Sequence, residues 1–381
     1  MATLNIKKEK LRELKEKEKG GVERKHTIMI VDEKDRNLES LESLLSGDYH
    51  IIMAGDGLEA LDTIKKMEKP ENISLIIADQ SMHGFNGIQL FEKLKVIIPN
   101  TIRIIITGYT EKEIILDAVN KTQIYQFILK PFDPEDLKLR VKRAVEAFEH
   151  QREIEESRIT DDLTGLRNRR YVREYIEQDI AKANRDYENW LEYQRKTAPK
   201  ESDLIFLMLD IDHFKAVNDE YDHEAGDMVL KQLADIMRRL FRDTDVLARW
   251  GGEEFLVISL FTNRGRAHDM AERLRWAVEV RLFDLGNNKE KNITCSIGFA
   301  CYPFLIENPD ALDYEKIISI ADKALYAAKN SGRNAYVGIQ STGKTDPGNL
   351  FNRIQEDIEK LIDDGELEIY TSIKDRKLKW A

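Results

Sequence analysis

The sequence predicts two α/β-type domains in series, a doubly wound parallel five-stranded domain and then an α+β domain, with helix between them. Two observations carry this. From His26 to Phe148, five short apolar runs alternate with amphipathic stretches of helical length, the pattern of repeated βα units. At Asp161 a second domain begins. It carries a long apolar run ending in an acid, Leu204–Asp210, and a hairpin-like stretch, Arg249–Ile258. The 381 residues accommodate two ordinary domains and a tail.

Residues 1–25 mix Lys and Glu, with Leu11 and Leu14 in helical register, and predict a charged, frayed N-terminal helix without the apolar segment of a signal peptide. Strands are predicted at Thr27–Val31, His50–Met53, Leu75–Ala78, Ile102–Ile106 and Ile124–Leu129, and Pro134 opens a helix running past Phe148. In such a sheet, ligands bind beyond the carboxyl ends of the strands. Those ends carry Asp32-Glu33, Asp79, Thr107 and Lys130-Pro131, so three carboxylates, a hydroxyl and an ammonium are expected on one rim. Acids so close repel unless a divalent cation neutralises them, and a hard cation such as Mg²⁺ takes oxygen ligands. His83 has no partner evident in the sequence and reads as a loop residue.

Leu137, Val141, Ala144 and Phe148 form a short seam of coiled-coil type. Gln151–Arg158 has no Pro or Gly, so the helix either continues as a connector or frays into solvent. The predicted division is 1–25, the charged helix; 26–148, the first domain; 149–160, a helical linker; 161–340, the second domain; and 341–381, an extension.

In the second domain, an Asp161/Thr164/Gly165 turn leads into a helix predicted from about Arg169 to Arg195. Leu204–Asp210 reads as a buried strand delivering a carboxylate, as the strands of polymerase-like palms deliver a metal ligand. Asn218, Asp219, Asp222, His223 and Asp227 predict a loop before an apolar helix, Met228–Leu240. Gly251-Gly252 predicts a tight reversal through positive φ angles. The Glu253-Glu254 pair that follows reads either as a divalent-metal or phosphate-transfer site or as a solvated turn. Cys295 and Cys301 alternate with large apolar residues and read as core side chains of a strand. In the extension, Phe351, Ile354, Ile358, Leu361 and Ile362 predict an amphipathic helix and Leu367–Ile373 a short strand, which either pack on the second domain or bind a partner.

The net charge of −11 argues against nucleic acid as a partner. There is no apolar run near the roughly 18 residues of a membrane span, so a soluble, cytoplasmic protein is expected.

Residues 27–148 resemble the receiver domain of two-component response regulators. The resemblance implies that a cognate histidine kinase phosphorylates Asp79. Asp32, Glu33, Asp79 and Ser81 would surround Mg²⁺, Thr107 and Lys130 would contact the phosphoryl group, and Phe127 would be the switch aromatic. Glu33 stands where Asp is commoner, and His83 where Pro usually follows Ser81-Met82.

Residues 161–337 resemble the GGDEF domain of diguanylate cyclases, in its GGEEF form. The match rests on Asp161-x-Leu-Thr-Gly-Leu-x-Asn-Arg-Arg, Asp210-Ile-Asp-His-Phe-Lys, Asn218-Asp219, Gly226-Asp227, the hairpin, and Ala321–Lys329 followed by Gly332-Arg333-Asn334. It implies a palm-like, mainly antiparallel domain that condenses two GTP into cyclic di-GMP with loss of two pyrophosphates. Asp210, the Ile211 carbonyl and Glu253 would hold Mg²⁺ or Mn²⁺. The general base would be Glu253, Glu254 or water, and Lys215 would stabilise phosphate charge. Lys329 and Arg333, four apart at a helix end, would grip the terminal phosphates, and Gly251 and Gly252 would leave room for nucleotide. Asn218 and Asp227 match the guanine-reading pair, with Phe214 and His223 as further substrate contacts. Arg242-x-x-Asp245 matches an inhibitory product site, with Arg249 a further contact; the plain alternative is an exposed ion pair on a helix end. Two substrates that attack each other require a homodimer, which receiver phosphorylation would assemble or rearrange. The alternative to an enzyme is a catalytically silent response regulator that binds cyclic di-GMP or dimerises.

Overall fold

Alternation of five parallel strands with helices builds the N-terminal unit of the computed structural model, which describes residues 26–108, 123–193, 198–374 and 377–380. The helix expected within 1–25 lies outside the described residues. Strands β1 (Thr27–Val31), β2 (His50–Ala54), β3 (Ile73–Asp79), β4 (Ile102–Thr107) and β5 (Gln126–Leu129) form one sheet in the order β2-β1-β3-β4-β5. Every pairing in it is parallel. The central strand β3 is buried along its length, which is why it reads as a continuous apolar run.

Helices α1 (Asp35–Leu45), α2 (Gly57–Lys66), α3 (Gly87–Ile97) and α4 (Pro134–Ile159) follow their strands. Apolar residues of α1 and α4 close one sheet face, and those of α2 and α3 the other, giving the doubly wound architecture. Asp56 caps α2 by accepting from Leu58 and Glu59, and Asn86 with Gln89 forms a capping box on α3. The helix α4 does continue, unbroken, to Ile159. Its coiled-coil-type seam is not available to a partner helix, however. Leu137, Val141 and Ala144 are fully buried and Phe148 nearly so, because the stripe packs on the sheet of its own unit. The chain divides within α4, after Glu155.

The C-terminal unit is built on β6 (Arg167–Asn168), β7 (Asp203–Ile211), β8 (Val246–Gly251), β9 (Glu254–Thr262), β12 (Cys295–Tyr302), β13 (Tyr336–Ser341) and β14 (Leu367–Thr371), with β10 (Leu282–Asp284) and β11 (Glu290–Asn292) pairing apart. The sheet order is β14-β13-β12-β7-β9-β8-β6, antiparallel except at β12/β13 and β6/β8. Period-two alternation along β7 sorts its side chains. Leu204, Phe206 and Met208 join a core with α5 (Arg169–Glu192) and α9 (Tyr314–Asn330), while Ile205, Leu207 and Leu209 join one with α7 (His223–Leu240) and α8 (Ala267–Glu279). Cys295 and Cys301 are buried free thiols of β12, and burial pushes both up, Cys301 to about 12.

Two elements differ from expectation. The predicted loop at 218–227 is a helix pair, α6 (Phe214–Tyr221) and α7, separated by Asp222 alone. Asp222 takes φ 116° and accepts from the Ala225 N–H, so one residue makes the break and the cap. The predicted helix of the extension is two short helices, α10 (Leu350–Glu356) and α11 (Ile358–Asp363), interrupted where Asp357 caps the second. The extension packs on its own unit. Leu350, Ile354, Ile358, Leu361 and Leu367 are buried in the α9-side core, and β14 pairs antiparallel with β13.

Candidate active site

The end of β7 and the β8–β9 hairpin bring three carboxylates together. Asp210 is opposite Glu254 in the β7/β9 register, and Gly251 pairs with Glu254, leaving Gly252 and Glu253 as the turn. Neither glycine has φ in the left-handed region. The expected reason for them is therefore wrong: a register shift between Arg249 and Gly251 bends the strand into the turn instead. A Cβ on Gly252 would meet nothing within 4 Å.

Asp210 is 5 % exposed, and its Oδ2 receives the Lys329 ammonium at 2.6 Å. Burial pushes the Asp210 carboxyl up to about 6; Lys329 pulls it back, and Glu253 and Glu254 add to the push. A buried carboxylate with two acids near it and a lysine to balance them is a donor set that suits a hard divalent cation, with the Ile211 carbonyl the next backbone oxygen. Among the described residues no three acidic, histidine or cysteine side chains form a ready cation cage.

Lys329 reaches Asp210 because α9 sits directly on β12. A Cβ at Gly298 would stand 2.0 Å from the Ala321 carbonyl oxygen and 2.1 Å from the Leu325 nitrogen. Arg333 is not four along a helix from Lys329. The helix ends at Asn330, and Arg333 is exposed in a left-handed turn beyond it. Asn218 and Asp227 are brought together by Gly226, where a Cβ would stand 2.0 Å from Asn218 Oδ1. Phe214 is buried beneath this helix pair, whereas His223 and Lys215 are exposed in the first turns of α7 and α6.

Arg249 belongs to the hairpin and not to the Arg242/Asp245 site. Its Nε and Nη2 donate to the Gly252 carbonyl at 3.0 and 2.9 Å, and its Nη1 meets Asp161 at 3.1 Å. Asp161 also accepts from the Thr164 N–H and hydroxyl, and Asn168 donates to the Arg158 and Thr160 carbonyls. The Asp161–Arg170 motif is thus a latch between the start of the unit and the hairpin tip. Asp245 accepts from the Arg242 and Leu260 N–H groups and the Ser259 hydroxyl, so it is engaged by main chain and hydroxyl and not in the alternative i,i+3 ion pair. Arg242 and Asp245 line a cavity of about 390 Å³ together with Phe241, Arg266 and Arg273. The two further arginines were missed because Arg273, on α8, and Arg266, in the turn just before it, reach the cavity across the fold, with no signal in sequence spacing.

In the N-terminal unit, Lys130 binds Asp79 at 2.9 Å and Asp32 at 3.5 Å, both carboxylates being buried. Asp32 also accepts from the Lys34 N–H and the Asn37 amide. The third acid does not join them. Glu33 Oε2 accepts from the His83 N–H at 3.0 Å and meets His83 Nδ1 at 2.6 Å. The histidine whose partner was not evident in the sequence therefore has one, and it is the other departure from the receiver pattern. The pairing lowers the Glu33 carboxyl and raises the His83 imidazole. Thr107 is fully buried at the end of β4, Phe127 packs half-buried against the α2/α3-side core, and Ser81 is exposed two residues past Asp79. Asp32 and Asp79 fit a hard cation; Glu33 fits only after leaving His83.

Comparison with known proteins accords with both halves. Residues 28–142 match the response regulator receiver domain model, and residues 158–335 match the diguanylate cyclase GGDEF domain model. Diguanylate cyclase DgcP of Pseudomonas aeruginosa is 37% identical over 185 residues, which is 49% of this chain and 24% of that protein. Response regulator PleD of Caulobacter vibrioides is 28% identical over 324 residues, 82% of this chain and 65% of that protein. Diguanylate cyclase DgcS of Shewanella oneidensis is 32% identical over 233 residues, 59% of this chain and 70% of that protein. The chain is a receiver domain followed by a GGDEF domain, and it belongs to the diguanylate cyclase response regulators. It spans 24% and 65% of the lengths of DgcP and PleD. Among the described residues, no helix is long and apolar enough to cross a membrane.

Proposed function

We propose that the chain is a phosphorylation-controlled diguanylate cyclase, condensing two GTP into cyclic di-GMP with release of two pyrophosphates. The single observation that most supports it is buried Asp210, opposite Glu254 in the sheet and, among the described residues, ion-paired to Lys329 alone. Asp210, the Ile211 carbonyl and Glu253 would hold Mg²⁺ or Mn²⁺, which when bound would supply Lewis-acid stabilisation of phosphoryl charge and of the attacking oxygen. The 3′-oxygen of one GTP forms a bond to the α-phosphorus of the other, and the bond to pyrophosphate breaks. The hydroxyl proton leaves to Glu253, Glu254 or water.

Once Asp210 is otherwise neutralised, Lys329 is free for the terminal phosphates, where the Arg333 guanidinium makes a forked contact. Lys215 balances charge at the reacting phosphate, and Gly251 and Gly252 leave the tip open to nucleotide. Asp227 accepts from the guanine amide N–H and amino group, with Asn218 beside it and Phe214 and His223 as further contacts. Adenine lacks that donor pair, at a cost of up to a few kcal/mol.

Each domain holds one GTP, so the working species is a two-fold homodimer with hairpins facing. Product returns to the cavity of Arg242 and Asp245 and inhibits. A cognate histidine kinase phosphorylates Asp79, and Asp32, Glu33, Asp79 and Ser81 would hold the Mg²⁺ that neutralises the phosphoryl charge. The added charge, roughly one to two units, draws in Thr107, Phe127 and Lys130 and assembles or re-registers the dimer. The test is incubation of the full chain, unphosphorylated and phosphorylated, with GTP and Mg²⁺, followed by chromatography of nucleotides. Cyclic di-GMP is expected, and none from ATP alone. Its absence from both forms overturns the enzyme reading.

A further inference from the structure

The turn joining α9 to β13 has three successive residues in the left-handed region: Gly332 at φ 136°, Arg333 at 62° and Asn334 at 44°. Two adjacent non-glycine residues hold this conformation only where the surroundings over-determine it. Arg333 does not supply that restraint. Its side chain is exposed, and its N–H donates to the Ala328 carbonyl at 3.1 Å. Asn334 does. Its N–H donates to Asp212 Oδ2 at 2.9 Å, its Oδ1 accepts from Arg275 Nη1 at 2.7 Å, and its Nδ2 donates to Glu279 Oε1 at 2.6 Å. Arg275 Nη1 also bonds Glu279 Oε2 at 2.8 Å, so α8 presents both partners as one unit.

Asp212 is 5 % exposed, and among the described residues it has no ion-pair partner. Such a carboxylate is costly unless donors surround it. It has three: the Asn334 N–H, the Ser296 hydroxyl at 2.7 Å and the Thr294 hydroxyl at 2.7 Å. It also lies just beyond the strand that carries Asp210, two residues on. One rigid frame therefore supports the acid at the candidate cation site and the turn that roots Arg333.

We propose that Asn334, anchored by Asp212, Arg275 and Glu279, is a positioning residue that fixes the main chain of Arg333 so that its guanidinium meets the terminal phosphates of the nucleotide. This rests on reading Arg333 as a phosphate contact. An arginine whose root is loose loses freedom each time it binds, so the frame acts on phosphate affinity and leaves base recognition alone.

The test is calorimetric binding, with Mg²⁺, of GMP and of a GTP analogue whose α,β-bridge is methylene. The variants are Asn334→Ala, Asn334→Gly, Glu279→Ala and Arg333→Ala, plus the double variant Arg333→Ala/Asn334→Ala. Asn334→Gly tolerates positive φ but loses the side-chain bonds, and partly exposed Glu279 can be changed without emptying the core. Both Asn334 variants are expected to bind the analogue roughly tenfold more weakly, Glu279→Ala somewhat less so, with GMP unchanged. The double variant is expected to bind like Arg333→Ala. Wild-type affinity in Asn334→Gly, equal losses for GMP, or additive losses in the double variant would each overturn the proposal. If Arg333→Ala itself binds the analogue normally, the phosphate reading of Arg333 fails, and the positioning role goes with it. If Arg333→Ala loses affinity and Asn334→Gly does not, the positioning role alone is wrong.

Discussion

Two glycines of the C-terminal unit do opposite jobs, and substitution separates them. Gly298 lets α9 lie on the sheet, and a Cβ there collides with helix backbone, which has no flexible end to move aside. Gly298→Ala should lower stability by about 1–3 kcal/mol in urea unfolding, and pull Lys329 from Asp210. Gly252 has open space around it and no left-handed φ, so Gly252→Ala should leave stability within about 0.5 kcal/mol. Its turnover should nevertheless collapse, because the room it leaves is for nucleotide; unchanged turnover would refute that reason for the glycine. At the other acid site, Glu33 is held by His83, whose imidazole stays protonated to higher pH than a free histidine because of that carboxylate. His83→Ala should release Glu33 from the imidazole while keeping the main-chain N–H bond, and tighten Mg²⁺ binding about three- to tenfold by calorimetry; a weaker site would contradict this. These residues show what the sequence could and could not disclose. Asp79, Asp210 and Glu254 were legible because strand ends and hairpins are local patterns. Glu33 with His83, and Arg249 with Asp161, were not, because they meet 50 and 88 positions apart and neither pairing leaves a periodic trace.

The hairpin β8–β9 behaves as one element with the latch at Asp161, and this separates Arg249 from Arg242. Arg249→Ala removes two bonds to the tip carbonyl of Gly252 and the ion pair to Asp161, so turnover should fall while inhibition by added cyclic di-GMP persists. Arg242→Ala should do the reverse and relieve inhibition, since Arg242 lines the cavity and Arg249 does not. Equal relief by both would return Arg249 to the product site. The extension is likewise an element of the sheet and not a tail. Its fold was half legible: the apolar spacing of Ile354, Ile358 and Leu361 announced helix, but the interruption at Asp357 depends on a cap that only forms in place. Chain ending at Ser341 would bare the β13 edge and the core under Leu350, Ile354, Ile358, Leu361 and Leu367. Such a truncation should be far less soluble and should melt well below the full chain, and an equally stable product would show the extension to be dispensable.

At the scale of the molecule, each unit closes its own hydrophobic clusters. The two acid sites share a device: a lysine, Lys130 or Lys329, neutralises carboxylates that the proposed chemistry assigns to a cation. The N-terminal unit, with Asp79 and Lys130, is suited to accept a phosphoryl group, whereas the chemistry belongs to Asp210 and the hairpin. A reaction that joins two nucleotides held by two chains must depend on encounter of those chains. Specific activity of the unphosphorylated protein should therefore fall on dilution. Beryllofluoride bound at Asp79 should raise turnover and make it insensitive to dilution, with a larger species or a changed dimer seen by light scattering and small-angle scattering. Asp79→Asn should keep the basal rate, because it is remote in sequence and in unit from Asp210, and should lose the response. If beryllofluoride leaves both assembly and turnover of the wild-type chain as they were, the receiver does not govern the cyclase and control must lie elsewhere.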